Sequence, residues 1–180
     1  MREWWWREPG AGAYARTERE WRWLLPAVPA DVSTSVDIED RYLYGTMLRL
    51  RQMHGAAGDV FKLTQKVRLR VDDPSVNAVT NIYLTATAHS HLAAMPSDLL
   101  TKRRHRWSVE GHGLAVDEML GRWRGLVLAE LEHDEAERMP AVPRGVEVSN
   151  DGRFAGGALA ATADHEVPDV LDAVRRLVSG

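Results

Sequence analysis

Between residues 61 and 70 the chain alternates so regularly that only one local structure suits it. Phe61, Leu63, Val67 and Leu69 share one parity, while Lys62, Thr64, Lys66, Arg68 and Arg70 share the other. Side chains that change face every residue describe a β-strand, whereas a helix would scatter both sets around its axis. Related segments recur along the chain. Thr17 to Leu25 sets Glu18, Glu20 and Arg22 against Arg19, Trp21 and Trp23, and residues 34–44 and 47–53 give two more strands, the second with Leu48, Arg49, Leu50 and Arg51. Asn77–Thr85 is rich in β-branched residues, and Lys102–Val109, Gly113–Leu120 and Leu126–His133 complete the set. Gly111 and Gly113 bracket a turn, so two of these strands should form a hairpin. A helix is expected over 86–100. An amphipathic one is expected over 167–178, with Val170, Leu171, Val174 and Leu177 as its apolar stripe. About eight strands at short spacing and few helices point to an antiparallel sheet or a closed barrel.

At 180 residues the chain suits one domain with short tails. Residues 1–15 read as an N-terminal Trp/Arg/Gly tail, either a simple extension or an aromatic lid carried by Trp4, Trp5 and Trp6. The domain proper spans 16–163, and 164–180 forms a C-terminal helix packing on it. The chain has no cysteine, which excludes disulfides, thiolate metal sites and a cysteine nucleophile, and suits a cytoplasmic protein. A net charge of −3 offers no field to recruit nucleic acid, and no apolar run is long enough to span a membrane. His89 and His91, two apart on the expected helix, diverge and read as surface residues.

The distribution of charge says more than its sum. The parity row of Lys62, Lys66, Arg68 and Arg70 is wholly basic, whereas Glu130 and Glu132 are wholly acidic. For one strand such a row is ordinarily a solvated face. Several strands, however, carry bulky apolar groups on the opposite face (Trp21, Trp23, Phe61 and Leu63) that need cover, which helices could supply. If the strands close, the charged rows meet across a lumen, where unneutralised cations would repel one another. A phosphate chain would relieve that repulsion through Arg forks and Lys ammonium groups. Carboxylates beside phosphate call for a hard divalent cation between them, Mg²⁺ or Mn²⁺.

These segments also resemble a known family. Glu18-Arg19-Glu20-Trp21-Arg22 is similar to the ExExK signature of CYTH, or triphosphate tunnel, proteins. Leu48-Arg49-Leu50-Arg51 resembles their RxR strand, and Leu63-Thr64-Gln65-Lys66 their LTxK strand. Lys102-Arg103-Arg104, Val116-Asp117, the run Gly125 to Glu132 and the closing segment Val148 to Phe154 follow in the family's order. The resemblance spans about residues 16–160. It implies a mainly β (α+β) fold, an eight-stranded antiparallel β-tunnel with a few flanking helices. It implies a metal-dependent hydrolase of a small-molecule triphosphate, inorganic or organic, with a non-catalytic polyphosphate or nucleotide sensor and an adenylate cyclase as the alternatives. By position, Glu18, Glu20, Glu130 and Glu132 would hold Mg²⁺ or Mn²⁺, and Arg22, Arg49, Arg51, Lys66, Lys102 and Arg104 would bind phosphate oxygens. Asp117 would be either a metal partner or an orienter of a basic side chain. Glu20, Lys66, Glu130 and Glu132 would be the catalytic set. Two departures stand out. Arg22 occupies a position where the family prefers Lys, and nothing between Asp73 and Asp98 is charged, although the family's strand there carries an Arg and a Glu.

Overall fold

Eight strands pair edge to edge until the last meets the first. The architecture is that of a computed structural model, which describes residues 14–70, 73, 75–133 and 140–179. The tail carrying Trp4–Trp6 and the acidic stretch after His133 lie outside those residues. The strands are β1 (Arg16–Leu25), β2 (Ser35–Leu43), β3 (Leu48–Gly55), β4 (Gly58–Arg68), β5 (Val76–Leu84), β6 (Ser97–Val109), β7 (His112–Met119) and β8 (Val127–His133). Their order around the sheet is β5-β4-β3-β2-β6-β7-β8-β1, every pairing is antiparallel, and β5 pairs again with β1 to close the ring. Closure leaves no long edge for another chain to add to. A two-residue strand, β9 (Val146–Glu147), pairs with β1 at Trp23 and Leu24.

Three expectations need correction. The helix placed over 86–100 ends early: α1 covers Ala86–Ala93 and the chain turns into β6 at Ser97. Pro96 interrupts the helical register there, and Leu99 and Leu100 belong to the strand. His89 is buried rather than at the surface, its ring 4.9 Å from that of Phe61, because α1 lies over the outer face of β4. Arg70 falls beyond the end of β4 and is exposed. The expected hairpin is present between β6 and β7. Glu110 and Gly111, the two loop residues, both have positive φ, the two-residue turn whose twist suits a right-twisted hairpin.

The strand parities separate two apolar clusters. On the outer face, Trp23, Leu25, Trp107, Val116, Ala129 and Leu131 pack together under the 26–34 and 140–145 segments, through Val28, Val32 and Val142. The cover for the tryptophans is therefore loop, not helix. On the inner face each row changes character at one level. Along β1 the inward residues run Glu18, Glu20, Arg22, Leu24; along β6 they run Arg104, Lys102, Leu100; along β8, Glu132, Glu130, Leu128. Leu24, Leu100, Met119 and Leu128 join Trp123, Phe154, Leu159, Val167 and Val174 in a single cluster. These last residues come from a 3-10 turn at Gly121–Trp123, a second at Gly152–Phe154, α2 (Gly156–Ala161) and α3 (Val167–Ser179). The C-terminal segment thus stoppers one end of the barrel, and the lumen is a cup. A Cβ on Gly156 would sit 2.1 Å from the Tyr42 hydroxyl oxygen, so only glycine lets the chain approach this closely. Arg122 fastens the stopper by donating to the carbonyls of Leu159, Ala160 and Thr162, the orphan acceptors where α2 ends.

Because Phe154 is 2% exposed within this cluster, Phe154→Ala should lower stability by about 3–5 kcal/mol in urea unfolding. A loss under about 1 kcal/mol would contradict a packed stopper.

Candidate functional site

Above the stopper lies a cavity of about 490 Å³ walled by the inward parities of the barrel. Its volume is within the range of sites that hold a small organic or inorganic ligand. Eight of its lining residues are cationic: Arg22 on β1, Arg49 and Arg51 on β3, Lys62, Lys66 and Arg68 on β4, and Lys102 and Arg104 on β6. Four are glutamates, Glu18 and Glu20 on β1 and Glu130 and Glu132 on β8. The structure thus brings together, around one lumen, ten of the eleven side chains singled out by sequence. The eleventh, Asp117, lies in the wall just behind them, with no exposure to solvent.

The register explains how these charges coexist. Antiparallel pairing sets Asp40 opposite Arg51, Arg104 opposite Asp117, and Arg22 opposite Glu130. Each of these seams holds a base against an acid at cross-strand distance. Arg51 donates from Nε and Nη2 to the two oxygens of Asp40 at 2.6 and 2.7 Å, a bidentate fork. Arg104 makes the same fork on Asp117 at 2.6 and 2.7 Å and reaches Glu130 at 2.6 Å. Lys102 also donates to Asp117, and its ammonium lies 4.0 Å from Asp40. Glu20 accepts from Arg22 at 2.8 Å and from Lys66. Asp117 thus accepts from both Lys102 and Arg104.

Titration follows the same geometry. Burial alone would raise the Asp40 pKa, but Arg51 and Arg49 outweigh it and hold the carboxyl well below the usual range. Burial acts likewise on Glu130, and Lys102, Arg104 and Arg22 overcome it. Glu18 behaves in the opposite sense: burial, then the nearby Glu132, and more weakly Glu20, raise its pKa. Burial pushes the Lys62 ammonium down to about 8, assisted by Arg51 and Arg49 and opposed by Glu132.

The acids of the lumen fall into two kinds. Asp40, Asp117, Glu20 and Glu130 are tied to cations, whereas Glu18 and Glu132 make no ion pair among the described residues. Glu132 sits opposite Glu20 in register, with Glu18 two residues along the same strand. Crowded carboxylates such as these are the donor chemistry a hard divalent cation would relieve. As the side chains stand, no group of three Asp, Glu or His among the described residues converges on one point.

Sequence reasoning missed Asp40, Tyr42, Thr64 and the β5 pair Asn77 and Asn81, all inside the barrel. In β2 the conspicuous charges, Asp37, Glu39 and Arg41, are on the outward parity, and Asp37 pairs with Arg103 at the surface. The lone inward acid was hidden among Val36, Ile38 and Tyr42. The uncharged β5 is as the sequence indicated: Asn77, Val79 and Asn81 line its part of the wall. Asn81 accepts from Thr64, which in turn accepts from Arg49.

Removing the Asp40 charge leaves Arg51 buried without its counterion, so Asp40→Asn should cost about 3–5 kcal/mol at pH 7. The sign with pH is fixed by the depressed folded pKa of Asp40. Its stabilisation is complete above the unfolded carboxylate value near ~4 and is lost as pH falls below it. Urea unfolding from pH 6 to pH 2 should therefore show a shallower acid decline in Asp40→Asn than in the parent chain. Parallel declines would contradict the assignment.

No protein-family model matches the chain, and no curated protein matches it. Solved structures do. The chain is similar to a structure of the inorganic triphosphatase NE1496 at 21% identity, covering 81% of this chain and 95% of that one with a TM-score of 0.55. A structure of the hypothetical protein NE1496 matches at 22% identity, 81% and 98% coverage and the same TM-score. The PH1819 protein from Pyrococcus horikoshii OT3 matches at 14% identity, 90% and 88% coverage and a TM-score of 0.52. At these identities the likeness establishes a shared barrel fold.

Proposed function

We propose that the chain is a metal-dependent triphosphatase of the CYTH, or triphosphate tunnel, kind, acting on a triphosphate held in the cup. The observation that carries this reading is the excess of cations over acids around one enclosed lumen: eight basic side chains against four glutamates, with Asp40 and Asp117 behind. A polyanion is the ligand such a lumen lacks. The structural likeness to an inorganic triphosphatase and the order of the motifs along the chain support the same reading.

Glu18, Glu20 and Glu132 would hold Mg²⁺ or Mn²⁺, with Glu130, already engaged by Arg104 and Arg22, at the edge of the set. When bound, such an ion supplies charge neutralisation between carboxylate and phosphate oxygens and draws electron density from the phosphorus. The rest falls to the chain's own residues. Arg51 and Arg104, clamped by Asp40 and Asp117, present fixed guanidinium planes to phosphate oxygens and do not need to reorganise as charge develops. Lys102 lies between the two aspartates, and Lys66 shares its ammonium between Glu20 and the phosphate chain. Phosphoryl transfer depends chiefly on positioning and charge stabilisation, which this wall provides. The stopper excludes water from the far end, so ligand and products share one mouth.

The sensor reading is favoured by one observation. β5 offers Asn77, Val79 and Asn81 where charged groups would complete the ring. Phosphate release from tripolyphosphate with Mg²⁺ or Mn²⁺ separates the two. An enzyme releases phosphate, and Glu132→Gln lowers turnover at least about tenfold while leaving affinity within a few-fold. Tight binding with no release would assign the cup to sensing; absence of both would reject a triphosphate site.

A further inference from the structure

Two neighbouring cations of the lumen keep donors that the protein's own acceptors do not satisfy. Lys62, on β4, stands directly opposite Arg51 in the β3–β4 register and lines the cavity. Among the described residues no carboxylate lies within ion-pair distance of its ammonium, in contrast to Lys66 on Glu20 and Lys102 on Asp117. Arg49 is the second. Its Nε is buried without a hydrogen-bond partner, and the nearest carboxylate, Asp40 at 3.6 Å, already accepts the full fork of Arg51. Arg49 is nonetheless held in place, since its Nη2 donates to Thr64 at 3.2 Å and Thr64 donates to Asn81 at 2.8 Å. A buried donor without an acceptor is costly unless something else supplies one.

We propose that Lys62, which the family resemblance does not mark, joins Arg49 in a phosphoryl-binding subsite on the β3–β4 wall, across the lumen from the glutamates of β1 and β8. This rests on the triphosphate reading of the cup and extends it. One phosphoryl group of the chain is held by protein cations alone, while another faces the glutamates. Lys62 then sets affinity and register of the phosphate chain. The uncharged β5 no longer needs a cation of its own, because Asn81 serves Arg49 through Thr64.

The groups facing Lys62 are Arg49 and Arg51 from β3, Arg104 from β6, Glu132 from β8 and Glu18 from β1, with Tyr83 its register neighbour on β5. Burial, reinforced by three guanidinium groups that outweigh the carboxylates, makes its charge labile near pH 8. Tripolyphosphate affinity, measured by calorimetry on the full chain at pH 7 and pH 9, tests the proposal. At pH 7, Lys62→Gln should weaken binding about tenfold or more, and Lys62→Arg should restore it to within a few-fold. Relative to Lys62→Arg, the parent chain should lose affinity between pH 7 and pH 9, because a guanidinium keeps its charge. That comparison cancels ionisation of the ligand itself. Parent-like affinity in Lys62→Gln would overturn the subsite while leaving the triphosphate reading intact, as would identical pH dependence in the parent and Lys62→Arg. If the parent chain binds no tripolyphosphate at either pH, both fall together. Thermal unfolding of Lys62→Gln should match or exceed the parent, since a repulsive cation has been removed.

Discussion

A lumen lined with arginine and lysine can fold only if something beneath it cancels part of the charge. Asp40 and Asp117 do this. Both are fully buried, both sit in the wall one strand away from the cations they serve, and both accept bidentate forks. The pairing is a consequence of register, since Asp40 faces Arg51 and Asp117 faces Arg104 across neighbouring strands. Buried ion pairs seldom add net stability over well-packed apolar residues. Their value here is orientation: the forks fix Arg51 and Arg104 with further donor groups turned toward the cavity.

The second constraint is the apolar stopper. The inward rows switch from charged to apolar at one level around the barrel, and the C-terminal segment packs on the apolar part. This divides the interior into an apolar half that stabilises the fold and a charged half that lines the cavity. The charged half would be untenable if it ran the full length of the barrel, and a wholly apolar interior would bind no phosphate. Trp123 donating to the Leu159 carbonyl and Arg122 holding the end of α2 fasten the C-terminal segment to the barrel through one short turn.

Much of this was legible in the sequence because β-structure writes itself with period two. The 61–70 alternation, the Glu18-Glu20-Arg22 row and the Glu130-Glu132 pair each gave a strand and the side that faces inward. The closed eight-stranded barrel followed from their number and the resemblance they carry. What stayed hidden depended on register or on tertiary cover. Asp40 looked like one acid among several in β2, and only pairing with Arg51 distinguishes it from the solvent-facing Asp37 and Glu39. His89 was read as exposed because a short helix gives no sign that Phe61 lies beneath it. Leu99 and Leu100 were drawn into a helix because an apolar pair after Pro96 suits either structure. Only part of the stopper was visible: the apolar stripe over 167–178 announced a packing helix, but Gly156 to Ala160 has no periodicity of its own, and its packing depends on Tyr42, far away in sequence.

The central claim is that the interior of the barrel, and not its surface, receives a phosphate chain. A crystal structure of the protein grown with tripolyphosphate and Mn²⁺ tests this most directly. The account predicts phosphate density inside the cup within hydrogen-bond reach of Arg51, Lys102 and Arg104, with anomalous signal beside Glu18, Glu20 and Glu132. Density confined to the outer surface, with Arg51 and Arg104 still facing an empty lumen at saturating ligand, would contradict it.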